Sequence, residues 1–218
     1  MDIKVDGNTV VVFDLDDTLY NELDYLKSAY RAIALQLEPN QWKPLYSKMF
    51  SLYRCNENVF EVLTKAYHIE TATLIDLYRN HKPDIQLFDG ALNVLNAIKS
   101  KNGKIGLVTD GRSKTQRTKI ESLGISSYID KVIISEEIGS EKPDAQNFKA
   151  IENALPANTY YYIADNLGKD FIAPKTLGWK TIAFIDNGKN IHFDSYKHTE
   201  SMYKPDAYIM SFKDICIK

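Results

Sequence analysis

Six short apolar runs, at 9–13, 104–109, 131–135, 160–164, 181–185 and 207–210, constrain the fold of this chain most. They are rich in Val, Ile and Tyr and too continuous to alternate between a wet and a dry face, so they read as strands buried on both sides. Helix-like stretches separate most of them: 91–101, closed by Asn102 and Gly103; 115–123, closed by Gly124; 145–153; and 171–177, closed by Gly178. A residue that tolerates left-handed backbone is what a helix needs where it stops. Strand and helix alternating at this spacing predict an α/β fold with a mainly parallel, doubly wound sheet.

One interval breaks the rhythm. Between Tyr20 and Pro83 the pattern is helical, over roughly 22–37, 42–53, 58–67 and 71–80, with Leu26, Ala29, Tyr30, Ile33, Ala34 and Leu37 at helical spacing in the first. Lys82 precedes a proline, which steers it away from helix and marks the exit. The expected organisation is an α/β core of residues 1–20 and 84–218 carrying a helical domain at 21–83.

With 218 residues, 44% apolar and 26% charged, the chain has the length and composition of a folded protein with a substantial core. Lys and Arg total 27 against 29 Asp and Glu, so no global positive field exists to gather a nucleic acid, although a small anion is compatible. Cys55 and Cys216, far apart and in no paired motif, read as free thiols of a reducing compartment. The N-terminus lacks a basic segment followed by an apolar core, and no run approaches the ~18 apolar residues of a membrane span. The expected setting is cytoplasmic, with no membrane partner. No coiled-coil pattern speaks to oligomeric state, and the 14 Tyr fit packing as well as an interface.

In sheets of this type ligands bind at the carboxyl ends of the strands, near the point where strand order reverses. The first strand ends in Asp14, Asp16, Asp17 and Thr18; the second in Thr109, Asp110 and Gly111; the third is followed by Glu136, Glu137 and Lys142; the fourth by Asp165, Asn166 and Asp170. A single strand-end Asp or Thr caps a helix or starts a turn. Ionic or hydrogen-bonding groups on four successive strand ends are harder to explain that way. Carboxylates such as Asp14 and Asp165, converging in one crevice, would raise each other's pKa unless a cation sat between them. Few oxygen ligands, no EF-hand spacing and no His or Cys cluster make that cation Mg2+ rather than Ca2+ or zinc, with the Lys142 ammonium as a second positive centre.

These residues resemble the haloacid dehalogenase-like (HAD) superfamily of hydrolases, whose motifs occur here in their usual order: DLDDTL from Asp14, LVTD ending at Asp110, SEKPD around Lys142 and ADNLGKD from Ala164 to Asp170. Two positions depart from it, Ala164 and Asp17, where relatives often carry Gly. The resemblance covers the core and implies a Rossmann-like fold, with the insert as the helical cap of the phosphatase-like subfamily I, hinged near 20–21 and 82–84.

It also implies roles. Asp14 is the expected nucleophile, forming an aspartyl-phosphate, and Asp16 the acid/base, needing a pKa nearer neutrality than an isolated Asp. Thr109 and the N–H groups of Asp110 and Gly111 would hold the phosphoryl oxygens, and Lys142 would hold the phosphoryl group and Asp14. Asp14, Asp165 and the Asp16 carbonyl would ligate Mg2+, with Asp170 orienting Lys142 or a metal-bound water. Asp17 reads as a turn residue, and Arg112 as a further anion contact or a solvated helix start. Tyr20, Tyr25, Lys48, Tyr53, Arg54 and Asn56 are candidates for reading the leaving group, whereas His68, His81, His192 and His198 share no spacing and read as surface residues.

The function implied is a Mg2+-dependent phosphatase of a small phosphorylated metabolite: a sugar phosphate, nucleotide monophosphate or phosphorylated acid. Asp16 argues against a halide-releasing relative, which lacks that aspartate. The alternatives are a phosphomutase, disfavoured because no His precedes His68, and a binding module that keeps the fold without chemistry.

Overall fold

A computed structural model describes residues 1–198, 200, 202 and 204–218. The chain forms two compact units, one of Met1–Glu22 with Gln86–Lys218 and one of Leu23–Ile85.

The first unit is built on a six-stranded sheet: β2 (Thr9–Phe13), β3 (Lys104–Thr109), β4 (Lys131–Ile134), β5 (Thr159–Ala164), β6 (Lys180–Phe184) and β7 (Ala207–Ile209). Their order in space is β4-β3-β2-β5-β6-β7, and every neighbouring pair is parallel. All of β2 is buried, as an uninterrupted apolar strand at the centre of a doubly covered sheet should be. Val11 sits between Ile105 of β3 and Tyr161 of β5. Strand order runs outward one way from β2 to β4 and the other way from β5 to β7. The switch point therefore lies between the ends of β2 and β5.

The crossover helices are α5 (Ala91–Ser100), α6 (Ser113–Ser122), α8 (Gln146–Ala154) and α9 (Ile172–Thr176). Buried Ala91, Val94, Leu95 and Ile98 give α5 one apolar face, while Phe148, Ile151 and Ala173 join Val12, Val108 and Tyr162 in the core. Asn102 takes left-handed backbone at φ 60°, and a Cβ on Gly103 would lie 2.3 Å from Val5, so the turn into β3 needs both residue types.

The second unit holds α1 (Glu22–Leu37, whose first residue belongs to the other unit), α2 (Trp42–Arg54), α3 (Val59–Tyr67) and α4 (Thr71–Asn80). Its core joins Leu26, Tyr30, Ile33, Met49, Leu63 and Leu74. Tyr rings pack against this centre, with Tyr25 edge-on to Tyr78 at 5.5 Å.

The elements differ from the sequence expectation in three places. Ser135 starts a short helix, α7 (Ser135–Ile138), instead of ending β4. The chain ends pair in a two-stranded parallel sheet, β1 (Asp2–Ile3) with β8 (Cys216–Ile217), strands too short to show a period. The remaining boundaries shift by one or two residues, as fraying ends do. Cys55 and Cys216 are free and exposed. No helix among the described residues is long and apolar enough to cross a membrane.

Candidate active site

At the carboxyl ends of β2, β3 and β5 the chain forms a cavity of about 120 Å³, lined by Asp14, Asp16, Thr109, Asp110, Lys142, Asp165 and Asp170 among others.

Asp14 leaves β2 with its N–H bonded to the Ile163 carbonyl (2.9 Å), so the adjacent strand fixes its backbone. Lys142 Nζ, 6% exposed as a residue, lies 2.6 Å from Asp14 Oδ1 and 2.7 Å from Asp170 Oδ1. Asp170 also accepts from the Asn166 N–H (3.0 Å) and from the Tyr162 hydroxyl (3.3 Å). It thus braces Lys142 together with Asp14. Burial works against the Lys142 charge, but Asp14 and Asp170 outweigh it and hold its pKa well above the usual lysine range.

Oxygens of Asp14, Asp165 and Asp170 all lie within 4.8 Å of one another. Burial pushes Asp14 up to about 7, with the Asp170 charge adding to the rise against the pull of Lys142. Asp165 is pushed well above its ordinary value by burial and then by Asp170 and Asp14. The Thr18 hydroxyl, within 3.4 Å of Asp14 Oδ2 and 3.3 Å of Asp165 Oδ1, is too weak a donor to offset two anions. An all-oxygen cluster left under-neutralised by its own lysine fits a hard divalent cation such as Mg2+.

Asp16 behaves differently. Its Oδ1 takes Lys119 Nζ at 2.7 Å and the Tyr20 hydroxyl, and its Oδ2 takes Gln116 Nε2 at 2.8 Å. Burial alone would raise its pKa, but the Lys119 charge and these hydrogen bonds prevail and lower it. These contacts favour the carboxylate, the form Asp16 takes once it has given up its proton, and not the shift toward neutrality expected of it before the proton leaves; the sequence does not show a lysine arriving from α6. Gln116 Nε2 also lies 2.5 Å from Thr109 Oγ1.

Asp110 is a brace: it accepts the Lys142 backbone N–H (3.1 Å) on one oxygen and Lys169 Nζ (2.9 Å) on the other. Gly111 and Arg112 do not line this cavity. At φ 133° Gly111 turns the chain so that its N–H donates to Ser135 Oγ (2.9 Å), and Arg112 follows as the exposed residue before α6. Asp17 is a turn residue at φ 54° that also receives the N–H groups of Glu22 and Ile191, both at 2.8 Å. Burial, partly offset by those donors, places its pKa at about 6. Tyr25, a leaving-group candidate, bonds the Tyr78 carbonyl (3.2 Å) within the helical unit.

The loop after β6 also reaches the cavity. Asp186 Oδ1 gathers the N–H groups of Gly188, Lys189 and Asn190, Asn190 Nδ2 donates to Asp165 Oδ2 (2.9 Å), and His192 lines the cavity although it is exposed. Applying the strand-end rule to this fifth strand would have reached the Asp186, Asn187, Gly188 turn.

Residues 11–184 match the family described as haloacid dehalogenase-like hydrolase. The chain belongs to that family. It is 28% identical over 221 residues to the glyceraldehyde 3-phosphate phosphatase of Methanocaldococcus jannaschii, covering 94% of each chain. It is 29% identical over 163 residues to the pyrimidine 5'-nucleotidase YjjG of Escherichia coli, covering 66% of this chain and 70% of that one. The fold matches the HAD-hydrolase YfnB of Bacillus subtilis, solved bound to magnesium, with TM-score 0.67 and 19% identity over 94% of this chain and 96% of that one.

Proposed function

We propose that this HAD-family hydrolase is a Mg2+-dependent phosphatase that hydrolyses a small phosphorylated metabolite through an aspartyl-phosphate on Asp14. The observation that carries the reading is the placement of Asp14 at the switch point, 2.6 Å from the Lys142 ammonium and inside a three-carboxylate cluster. The similar proteins named as a sugar-phosphate phosphatase and a nucleotidase support the substrate class.

Asp14 attacks phosphorus while Lys142 keeps its carboxylate oriented and offsets the charge gathering on the phosphoryl oxygens. Thr109, buried at the end of β3, donates its hydroxyl to one of those oxygens. Asp16 gives a proton to the departing ester oxygen as the P–O bond breaks. As a carboxylate it then takes a proton from the water that attacks the aspartyl-phosphate, which frees inorganic phosphate and restores Asp14. Asp14 and Asp165, with the Asp16 carbonyl, would hold Mg2+, which when bound supplies positive charge against the phosphoryl oxygens. Asp170 keeps Lys142 in place.

The test is phosphate release from 4-nitrophenyl phosphate and a panel of phosphorylated metabolites, with Mg2+ or EDTA. Asp14→Asn should lower Mg2+-dependent release by ~10³-fold or more while the protein stays folded. Equal release from wild type and Asp14→Asn would overturn the mechanism.

A further inference from the structure

Resting on the phosphatase reading above, we propose that Gln116 and Lys119 of α6 are positioning residues for proton transfer, which aim the Asp16 carboxylate at the leaving oxygen and keep it in register with Thr109. Three residues apart, they share one face of the helix. Of the ten residues of α6, only these two and Ile120 are buried, Gln116 at 2% and Lys119 at 4% exposure. Packing alone does not call for such residues, since burying an ammonium carries a desolvation penalty of several kcal/mol that a leucine or methionine avoids.

The geometry says what they hold. Three donors converge on Asp16 from different residues, Lys119 and Tyr20 on Oδ1 and Gln116 on Oδ2, and together they fix both the position and the plane of the carboxylate. Gln116 Nε2 reaches Thr109 Oγ1 as well, so one amide links the expected proton carrier to the expected phosphoryl holder. The turn at Gly111 accommodates it: a Cβ there would stand 3.3 Å from Gln116 Cδ, on backbone at φ 133° that L side chains rarely adopt. Two of the three aspartates of the first motif are thus divided between two lysines, Lys142 with Asp14 and Lys119 with Asp16.

The arrangement in the structure is the one needed between the half-reactions. When Asp16 has given its proton to the departing alkoxide, the resulting carboxylate is received by Lys119 and Gln116, and from that fixed position it takes the proton of the attacking water. A carboxyl that has lost these contacts can turn away from the ~2.6–3.2 Å donor–acceptor distance that proton transfer requires. Poor leaving groups, which depend on that proton, should suffer most. An activated aryl leaving group departs without it.

The experiment measures kcat/KM for Lys119→Met and Gln116→Leu on aryl phosphates from 4-nitrophenyl to phenyl and on one alkyl phosphate, with folding checked by circular dichroism. Lys119→Met should lose on the order of 10²-fold with the alkyl ester and less than about threefold with 4-nitrophenyl phosphate, steepening the dependence on leaving-group pKa. In an Asp16→Asn background the same substitution should cost nothing further, because the group it positions is already gone. Gln116→Leu should show the same pattern, and it carries the test if Lys119→Met does not fold. An equal loss with every leaving group, or full additivity with Asp16→Asn, overturns the proposal and leaves a structural ion pair. Turnover that ignores Asp14→Asn breaks the phosphatase reading and this one with it, whereas Asp14-dependent turnover with an unchanged leaving-group dependence breaks this one alone.

Discussion

In the helical unit the ion pairs include Lys65 with Glu61 and Lys27 with Asp24, which join neighbours on one helix and stay partly or largely in solvent. In the α/β unit Lys142 reaches Asp14 across 128 residues and Lys119 reaches Asp16 across 103, and all four side chains are largely removed from water. The contrast separates two uses of the same groups. Pairs of the first kind contribute little to stability, and pairs of the second kind replace a core that apolar residues could fill more favourably. Buried charge collected at a sheet switch point therefore points to chemistry, while the aromatic and aliphatic centre of the helical unit points to folding.

The sharpest way to test that division is to remove apolar volume from the helical unit. Leu63, 1% exposed, sits in its core, and Leu63→Ala should cost about 3 kcal/mol. The two tryptophans give a separate reporter for each unit, Trp42 in the helical one and Trp179 in the α/β one. Urea unfolding followed by Trp42 fluorescence in a Trp179→Phe background should show the loss. A change below about 1 kcal/mol would mean that the helical core is not where this unit's stability resides.

The same division explains what could be read from the sequence. Runs such as 9–13 and 104–109 announce strands because full burial leaves no polar position in them, and β2 and β3 occupy those residues. Asp14, Lys142 and Asp165 were legible because each follows such a run, at the end where a parallel sheet binds ligands. Lys119 was not. On α6, among Lys114, Arg117 and Glu121, it looks like one more solvated charge, and only the tertiary fold brings it to Asp16. Arg112 and Gly111 show the converse: both stand next to a strand end, yet after the turn at Gly111 neither lines the cavity.

A second, smaller effect concerns pH. Burial raises Asp14 to about 7, Asp17 to about 6 and Glu22 to about 8, all above ordinary carboxyl values. The folded metal-free protein then binds protons more tightly than the unfolded chain, so this contribution is complete below pH ~4 and is lost as pH rises through about 6–8. Asp16, held below its ordinary value, acts oppositely but only in more acidic solution. In EDTA the thermal midpoint should fall from pH 5 to pH 8, and Mg2+ should restore it most at pH 8. Asp165→Asn, which removes one anion from the cluster, should raise the EDTA midpoint at pH 8 by roughly 2–4 °C and weaken the response to Mg2+. A fall in that midpoint would show that the cluster stabilises the fold without a cation, and the contrast between the units would fail.

The smallest effect tests whether polar groups in the helical unit act only locally. Asn58 caps α3, its side-chain oxygen accepting the Glu61 N–H at 3.1 Å and thereby satisfying one of the donors left open at a helix start. Asn58→Ala should cost about 0.5–1 kcal/mol in the Trp42-monitored transition, near the lower end of what such caps contribute, since the site is exposed. Lys65→Ala, which removes the solvent-exposed partner of Glu61 on the same helix, should leave the midpoint unchanged within error. If the lysine substitution proves the more damaging, surface charge carries stability in this unit after all, and the buried pairs of the α/β unit lose the contrast that marks them as machinery.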